Sequence, residues 1–210
     1  MSSSNARLSA ENVADAAAVD LVLAEADALR SLAVILPSLL PNLIEALMTT
    51  TGKVITIGVG TSGAIARRMA HLLSLTGTPA LYVHPSDGVH GSLGAVAVGD
   101  TVLALSKGGD SDEVNTFAGR ASVRGARVVA VTTRTDSPLA TIADVVVALP
   151  QVGQEDPGGI IAMGSTLAVA ALGDAVALTL MQRRGYSWDS VLYAHPGGAV
   201  GKRADRGDTP

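Results

Sequence analysis

The chain contains no cysteine, which excludes disulfide bridges and thiolate metal sites. Aromatic residues are scarce: Tyr82, Phe117, Tyr186, Trp188 and Tyr193 make up 2% of 210 residues. There is no basic run, and the formal net charge is −4. Without stacking platforms or a basic track, nucleic acid is not an expected partner. No uninterrupted apolar run reaches the ~18 residues that a membrane span needs, so no membrane partner is expected. The polar start Met1-Ser2-Ser3-Ser4-Asn5 lacks a basic stretch ahead of an apolar core. No signal peptide is read there, and the expected setting is cytoplasmic.

What is present is Ala, Val and Leu, in a chain that is 48% hydrophobic. That length and composition suit one domain with a sheet covered on both faces. Residues 9–49 read as helical, and Pro37 and Pro41 are expected to divide them into a long helix and a shorter one over 42–48. The long segment is apolar on more than one side. It either packs on its own domain or is shared with a neighbouring copy.

From residue 53 the pattern changes. Continuous Val/Ile/Leu runs at 54–58, 80–83, 101–105, 127–132 and 144–149 alternate with helical stretches. Runs without polar alternation are expected for strands of a parallel sheet buried on both faces. The helical stretches are 62–75, a short one near 88–93, 112–124, 139–142 and 165–184, with Gly185 as a C-cap. This alternation predicts a doubly wound α/β fold. The expected layout is a single domain over 1–203, with N-terminal helices at 9–49, the sheet core at 53–150 and a C-terminal helix and tail at 163–203. Residues 204–210 are expected to be a disordered tail.

In such sheets the ligand binds beyond the carboxyl ends of the strands. The first loop there is Gly58-Val59-Gly60-Thr61-Ser62-Gly63. Its glycines fit the dinucleotide spacing, but the second strand ends Val83-His84-Pro85 without an acidic residue for a ribose hydroxyl. An anion at the start of the following helix is the better fit. The loop Ser106-Lys107-Gly108-Gly109-Asp110-Ser111 also follows a buried strand and opens a helix. Two hydroxyls, free amides and a lysine suit a phosphate; an ordinary capped turn is the alternative. The four histidines show no i, i+4 pair, and no metal site is expected.

These two loops resemble the phosphate loops of the sugar-isomerase (SIS) family. Thr76-Gly77-Thr78-Pro79, Val83-His84-Pro85, His90-Gly91-Ser92-Leu93-Gly94 and Ala194-His195-Pro196-Gly197-Gly198-Ala199-Val200-Gly201 narrow the resemblance to the isomerase domain of D-arabinose-5-phosphate isomerases. The resemblance runs from about residue 10 to 203. It implies a three-layer α/β/α sandwich with a five-stranded parallel sheet, flavodoxin-like in outline. It also implies a homo-oligomer, a tetramer, with active sites between subunits. The implied activity is aldose–ketose isomerisation of a sugar phosphate, without any cofactor. A 6-phospho-3-hexuloisomerase-like enzyme and a non-catalytic sugar-phosphate-binding module are the alternatives. Full-length relatives often carry a pair of CBS domains, which this chain is expected to lack.

By matching position, the resemblance places Ser62, Ser106 and Ser111 on the phosphate, and Gly60, Thr61, Lys107 and Gly108 complete the expected phosphate loops. His90, Glu113, Glu155 and His195 fall on catalytic positions, and His84 is a lining candidate. Departures bear on the substrate. Thr61 stands where the arabinose-5-phosphate enzymes carry lysine, and Lys107 is a candidate replacement for that charge. Gly108 replaces a serine and Asp110 a glutamate. Gln154-Glu155-Asp156-Pro157-Gly158-Gly159 is a loose match to Glu-Ala-Cys-Pro-Leu-Gly. The chemistry needs a carboxylate to move a carbon-bound proton through an enediol, and histidine suits proton transfer between the oxygens. Glu155 is the expected base, with Glu113 its rival.

Overall fold

The computed structural model describes residues 2–151 and 153–197, the first thirteen of these by backbone alone. The last part of the His-Pro-Gly-Gly-Ala motif and the tail at 204–210 lie outside the described residues. Five strands, β1 (Val54–Ile57), β2 (Ala80–Tyr82), β3 (Thr101–Leu105), β4 (Arg127–Thr132) and β5 (Val145–Ala148), form one sheet. All pairs are parallel, in the order β2-β1-β3-β4-β5. The expected five-stranded parallel sheet is present, and the strand bounds fall within about a residue of the apolar runs.

Successive strand residues serve opposite faces. Leu103, Leu105, Val129 and Val131 join a core with α1 (Ser2–Met48), α2 (Gly60–Leu75) and α6 (Gly164–Arg184). Val102, Ala104, Val128 and Ala130 join a second core on the other face with α4 (Asp112–Val123) and α5 (Pro138–Ile142). A short α3 (Pro85–Gly88) and a 3-10 turn at Ser92–Ala95 border that second layer. The chain's single phenylalanine, Phe117, lies fully buried in this second core, and a Cβ on Gly88 would sit 2.4 Å from its ring. Small residues allow close approach on the first face as well. Gly173 of α6 leaves room for the Met69 side chain of α2, whose Cε would be 2.8 Å from an added Cβ.

At the end of the sheet remote from the site, Asp100 staples two strands. Its carboxylate accepts the Lys53 N–H at 2.9 Å and the Ala97 N–H at 2.8 Å, and pairs with Lys53 Nζ at 2.7 Å. Burial pushes the Asp100 carboxyl up, but Lys53 and these N–H groups outweigh it and hold it below its ordinary value.

Two expectations need correction. Pro37 and Pro41 do not divide the N-terminal segment: α1 runs unbroken through both. Proline disfavours a helix interior through a missing N–H and a steric clash. Here Leu32, Leu43, Ile44 and Leu47 are held in the core on both sides of the prolines, and tertiary burial overrides the local rule. Secondly, the stretch Asp15–Met48 and α6 are both long and apolar enough to cross a membrane by length and composition, which uninterrupted-run counting missed. In the fold these helices pack on each other, and α6 also packs on α2. The short α7 (Trp188–Ala194), which the sequence pattern did not announce, follows Gly185, a left-handed C-cap at φ 62°.

Phe117→Ala should destabilise the protein by about 3–5 kcal/mol, read from the shift of the urea midpoint. A loss below about 1 kcal/mol would mean that the second core closes over the gap.

Candidate active site

The strand order reverses between β1 and β3, and a crevice at the carboxyl ends of those strands is the expected ligand position. A cavity opens there. Its polar lining is Ser62 after β1, Ser106 and Lys107 after β3, Thr132 and Thr133 at the end of β4, and Glu155 with Ser165 at the start of α6, set among apolar side chains such as Leu105, Val131, Leu149 and Val169.

The first loop turns tightly. A Cβ on Gly63 would lie 2.7 Å from the Gly58 carbonyl, and Gly60 is at φ +56°. Only glycine tolerates both demands. The dinucleotide-like spacing thus reflects a close strand-to-helix turn, which leaves Ser62 at the first turn of α2 and Gly60 and Thr61 exposed.

The loop after β3 is bound to the loop after β4. The Lys107 carbonyl accepts the Thr133 N–H, the Thr132 hydroxyl and the Thr133 hydroxyl, each at 2.9 Å. Ser106 is buried; its Oγ accepts the Gly109 N–H at 3.2 Å and lies 3.3 Å from Ser111 Oγ. Gly109 at φ +68° is hemmed in by Ser137, whose Oγ would be 2.1 Å from a Cβ there. Gly108 has no such restriction, with only Asp110 within 4 Å of an added Cβ. Arg134 pairs with Asp110 at 2.6 Å on the surface side.

Among the described residues, Glu155 is the one acidic side chain in the cavity wall. It is 4% exposed, and its Oε2 is buried without a hydrogen-bond partner. A buried carboxylate oxygen left unpaired is costly, and such a group is a candidate for a catalytic role. Gly164 permits this placement, since a Cβ there would lie 2.4 Å from Glu155 Cβ.

The next residue, Asp156, is buried too. Its Oδ2 pairs with Lys107 Nζ at 2.5 Å, and its Oδ1 accepts the N–H groups of Met163 at 2.8 Å and Ser165 at 3.1 Å. Burial pushes this carboxyl up, but Lys107 together with Ser165 and the Met163 N–H outweighs it, taking it from 3.8 to about 2. Lys107, expected on the phosphate, therefore has its ammonium engaged by Asp156.

The other predicted residues are not brought into the cavity. Glu113 is exposed in the first turn of α4. His90 is exposed after α3, and His195 is half-buried at the end of α7. His84 is exposed and caps α3, its Nδ1 accepting the Ser86 N–H at 3.3 Å. Sequence reasoning passed over Thr132, Thr133, Asp156 and Ser165. The first two sit where the carboxyl-end rule directs attention, and Ser165 could have been found as the opening of a helix beside Glu155.

Fold and cavity define a doubly wound α/β domain whose candidate site joins hydroxyl-bearing loops to one buried carboxylate. Residues 47–179 match the SIS domain model. Arabinose 5-phosphate isomerase KdsD of Pseudomonas aeruginosa is 37% identical over 160 residues, covering 76% of this chain and 49% of that protein. Its counterpart in Shigella flexneri is 36% identical over 159 residues, covering 76% and 48%. The chain thus spans about half the length of the curated relatives it matches. Among solved structures, a protein of Escherichia coli CFT073 in complex with arabinose 5-phosphate superposes with a TM-score of 0.78 at 32% identity, over 85% of this chain and 97% of that one. The chain belongs to the SIS domain family.

The depressed Asp156 value carries a stability prediction. A carboxyl lowered on folding contributes stability that is fully present above its unfolded value and is lost as pH falls through its folded one. The window is therefore about pH 4 down to 2, and the amount is on the order of 2 kcal/mol. Chemical denaturation across that window should show that loss in the natural protein and not in Asp156→Asn. Equal losses in both would assign the acid sensitivity to other carboxyls.

Proposed function

We propose that this chain is a phosphosugar aldose–ketose isomerase of the arabinose-5-phosphate type, with residues 1–203 forming one SIS domain. The observation that carries this reading is the buried, unpartnered Glu155 carboxylate in a cavity whose largely apolar wall also holds Ser62, Ser106, Thr132, Thr133 and Ser165. The names of the KdsD relatives and the arabinose 5-phosphate bound by the E. coli protein support the same reading.

The phosphate lies against Ser62, Ser106 and Ser111, where the first turns of α2 and α4 offer N–H groups and a favourable dipole. Held there, it fixes the reacting carbons relative to Glu155 by contacts remote from the chemistry. The Glu155 carboxylate takes the proton from the carbon beside the carbonyl, giving an enediolate, the conjugate base of the enediol. It returns that proton to the neighbouring carbon while a hydroxyl proton passes between the two oxygens. Atoms and electrons are conserved within the substrate, so no redox cofactor enters. Glu113, exposed on α4, is the weaker candidate for the base.

A homo-oligomer, and specifically a tetramer, is part of the proposal, as is a cytoplasmic setting. Val19, Val22, Leu23 and Val34 on α1 and Leu178 on α6 are half-exposed or more, an apolar surface suited to a second copy. His90 and His195 stand away from their own chain's cavity, and this arrangement fits a site completed by a neighbouring copy. The same observation favours a second reading, a sugar-phosphate sensor without turnover.

Proton exchange in heavy water separates these readings. The protein is incubated with ribulose 5-phosphate, arabinose 5-phosphate and a panel of tetrose and hexulose phosphates. Deuterium entering beside the carbonyl, with accumulation of the isomer, is the expected result and names the sugar. Binding without exchange on every member of the panel would establish the sensor.

Glu155→Gln should lower turnover by about 10²–10⁴-fold with sugar-phosphate binding retained. Near-normal turnover would move the base elsewhere. Light scattering should find an oligomer, and a fully active monomer would overturn the shared site.

A further inference from the structure

We infer that Asp156 is a positioning residue that, braced by Lys107, holds the Glu155 carboxylate at its place in the cavity; this rests on Glu155 acting as the base.

The segment that carries Glu155 has little of its own to hold it. Between β5 and α6, among the described residues, its only regular element is the 3-10 turn Pro157–Gly159, with Gly158 and Gly159 both at positive φ, and Ile160 and Ile161 face solvent. Among the described residues of 150–161, the hydrogen bonds that tie the segment to α6 and to the loop after β3 are made at residues 155 and 156. The Glu155 carbonyl accepts the Gly164 N–H at 3.0 Å. Asp156 reaches in two directions at once. One oxygen binds the N–H groups of Met163 and Ser165, and the other binds Lys107 Nζ at 2.5 Å. Met163 makes no side-chain cap for α6, so the Asp156 carboxylate serves as that cap from seven residues upstream. Glu155 is thereby tied both to the start of a 21-residue helix and to the loop after β3.

The brace is itself anchored. Lys107 directly follows Ser106, and its carbonyl is held by Thr132 and Thr133. A rigid chain of contacts therefore runs from the hydroxyls proposed for the phosphate to the carboxylate proposed for the proton. If the brace breaks, both half-sites remain but their spacing is no longer fixed. A misplacement of about 1 Å can reduce a rate by about 10²-fold.

The test compares Asp156→Asn, Asp156→Ala, Lys107→Met and the double variant Asp156→Ala/Lys107→Met, each normalised to its folded fraction. Asp156→Ala is expected to lower kcat by about 10–100-fold with KM within about threefold. Asp156→Asn keeps an oxygen for the Met163 and Ser165 N–H groups and should recover part of that loss. Lys107→Met should lower kcat similarly, and the double variant should be no worse than the worse single one. With deuterium at the transferred carbon, the isotope effect on kcat should rise in the variants, because a displaced base makes proton abstraction limiting. A merely unfolded fraction leaves that effect unchanged. An unaltered kcat in Asp156→Ala, or a Lys107→Met variant that raises only KM, would overturn the proposal; the latter would return Lys107 to the phosphate.

Amide hydrogen exchange keeps this test independent of the function. Met163 and Ser165 in the ligand-free natural protein should exchange about 10-fold or more slowly than in Asp156→Ala. If the natural protein turns over no sugar, the isomerase reading fails and the positioning of a base fails with it. Slow amides would then show a brace retained for binding, and fast ones would show that no brace exists.

Discussion

A parallel sheet cannot leave a face to water, because each strand carries apolar residues on both sides. Here that requirement sets the rest. Leu103 and Leu105 need α1, α2 and α6, while Val102 and Ala104 need α4 and α5. The connections must then reach alternate faces, and the strand order must reverse between β1 and β3. The cavity lies at that reversal, where two consecutive crossovers depart in opposite directions. The candidate site is thus located by the need to cover a sheet before any particular side chain is considered.

Two adjacent carboxyls, one in the cavity wall and one behind it, have unequal partners. Asp156 has an ammonium and two N–H groups and is held strongly acidic. Glu155 is as deeply buried and has an unpaired oxygen. One is satisfied by the protein and the other is left for something else. The same segment therefore spends its polar contacts on structure at one residue and withholds them at the next, a division common where strain and function coincide.

Legibility in the sequence followed the range of the interaction. The runs at 101–105 and 127–132 coincide with β3 and β4 because two-sided burial is recorded in local composition. The glycine loops were legible for a similar reason, since Gly58, Gly60 and Gly63 answer a local steric demand. Asp156 was not, because its partner lies 49 residues away and no local pattern announces it. The prolines of α1 misled in the opposite direction: their local cost is real, but distant core contacts outweigh it. Glu155 is legible in the sequence by resemblance alone, and its burial in the cavity wall is what the fold adds. His90, Glu113 and His195 were chosen on the same ground, and one chain does not gather them around the cavity.

The helix that runs through Pro37 and Pro41 also bears on how the molecule assembles. Its two interior prolines leave it poorly suited to form by itself, and much of its contact is with α6, more than a hundred residues further along the chain. Such a helix is a late arrival in folding, since closing a long loop must precede the contacts that reward it. The strands and α2 can pair earlier through nearer neighbours. Until α6 is made, the apolar side of α1 can pack mainly on β4 and β5, and a nascent chain at that stage leaves part of it open to association with others.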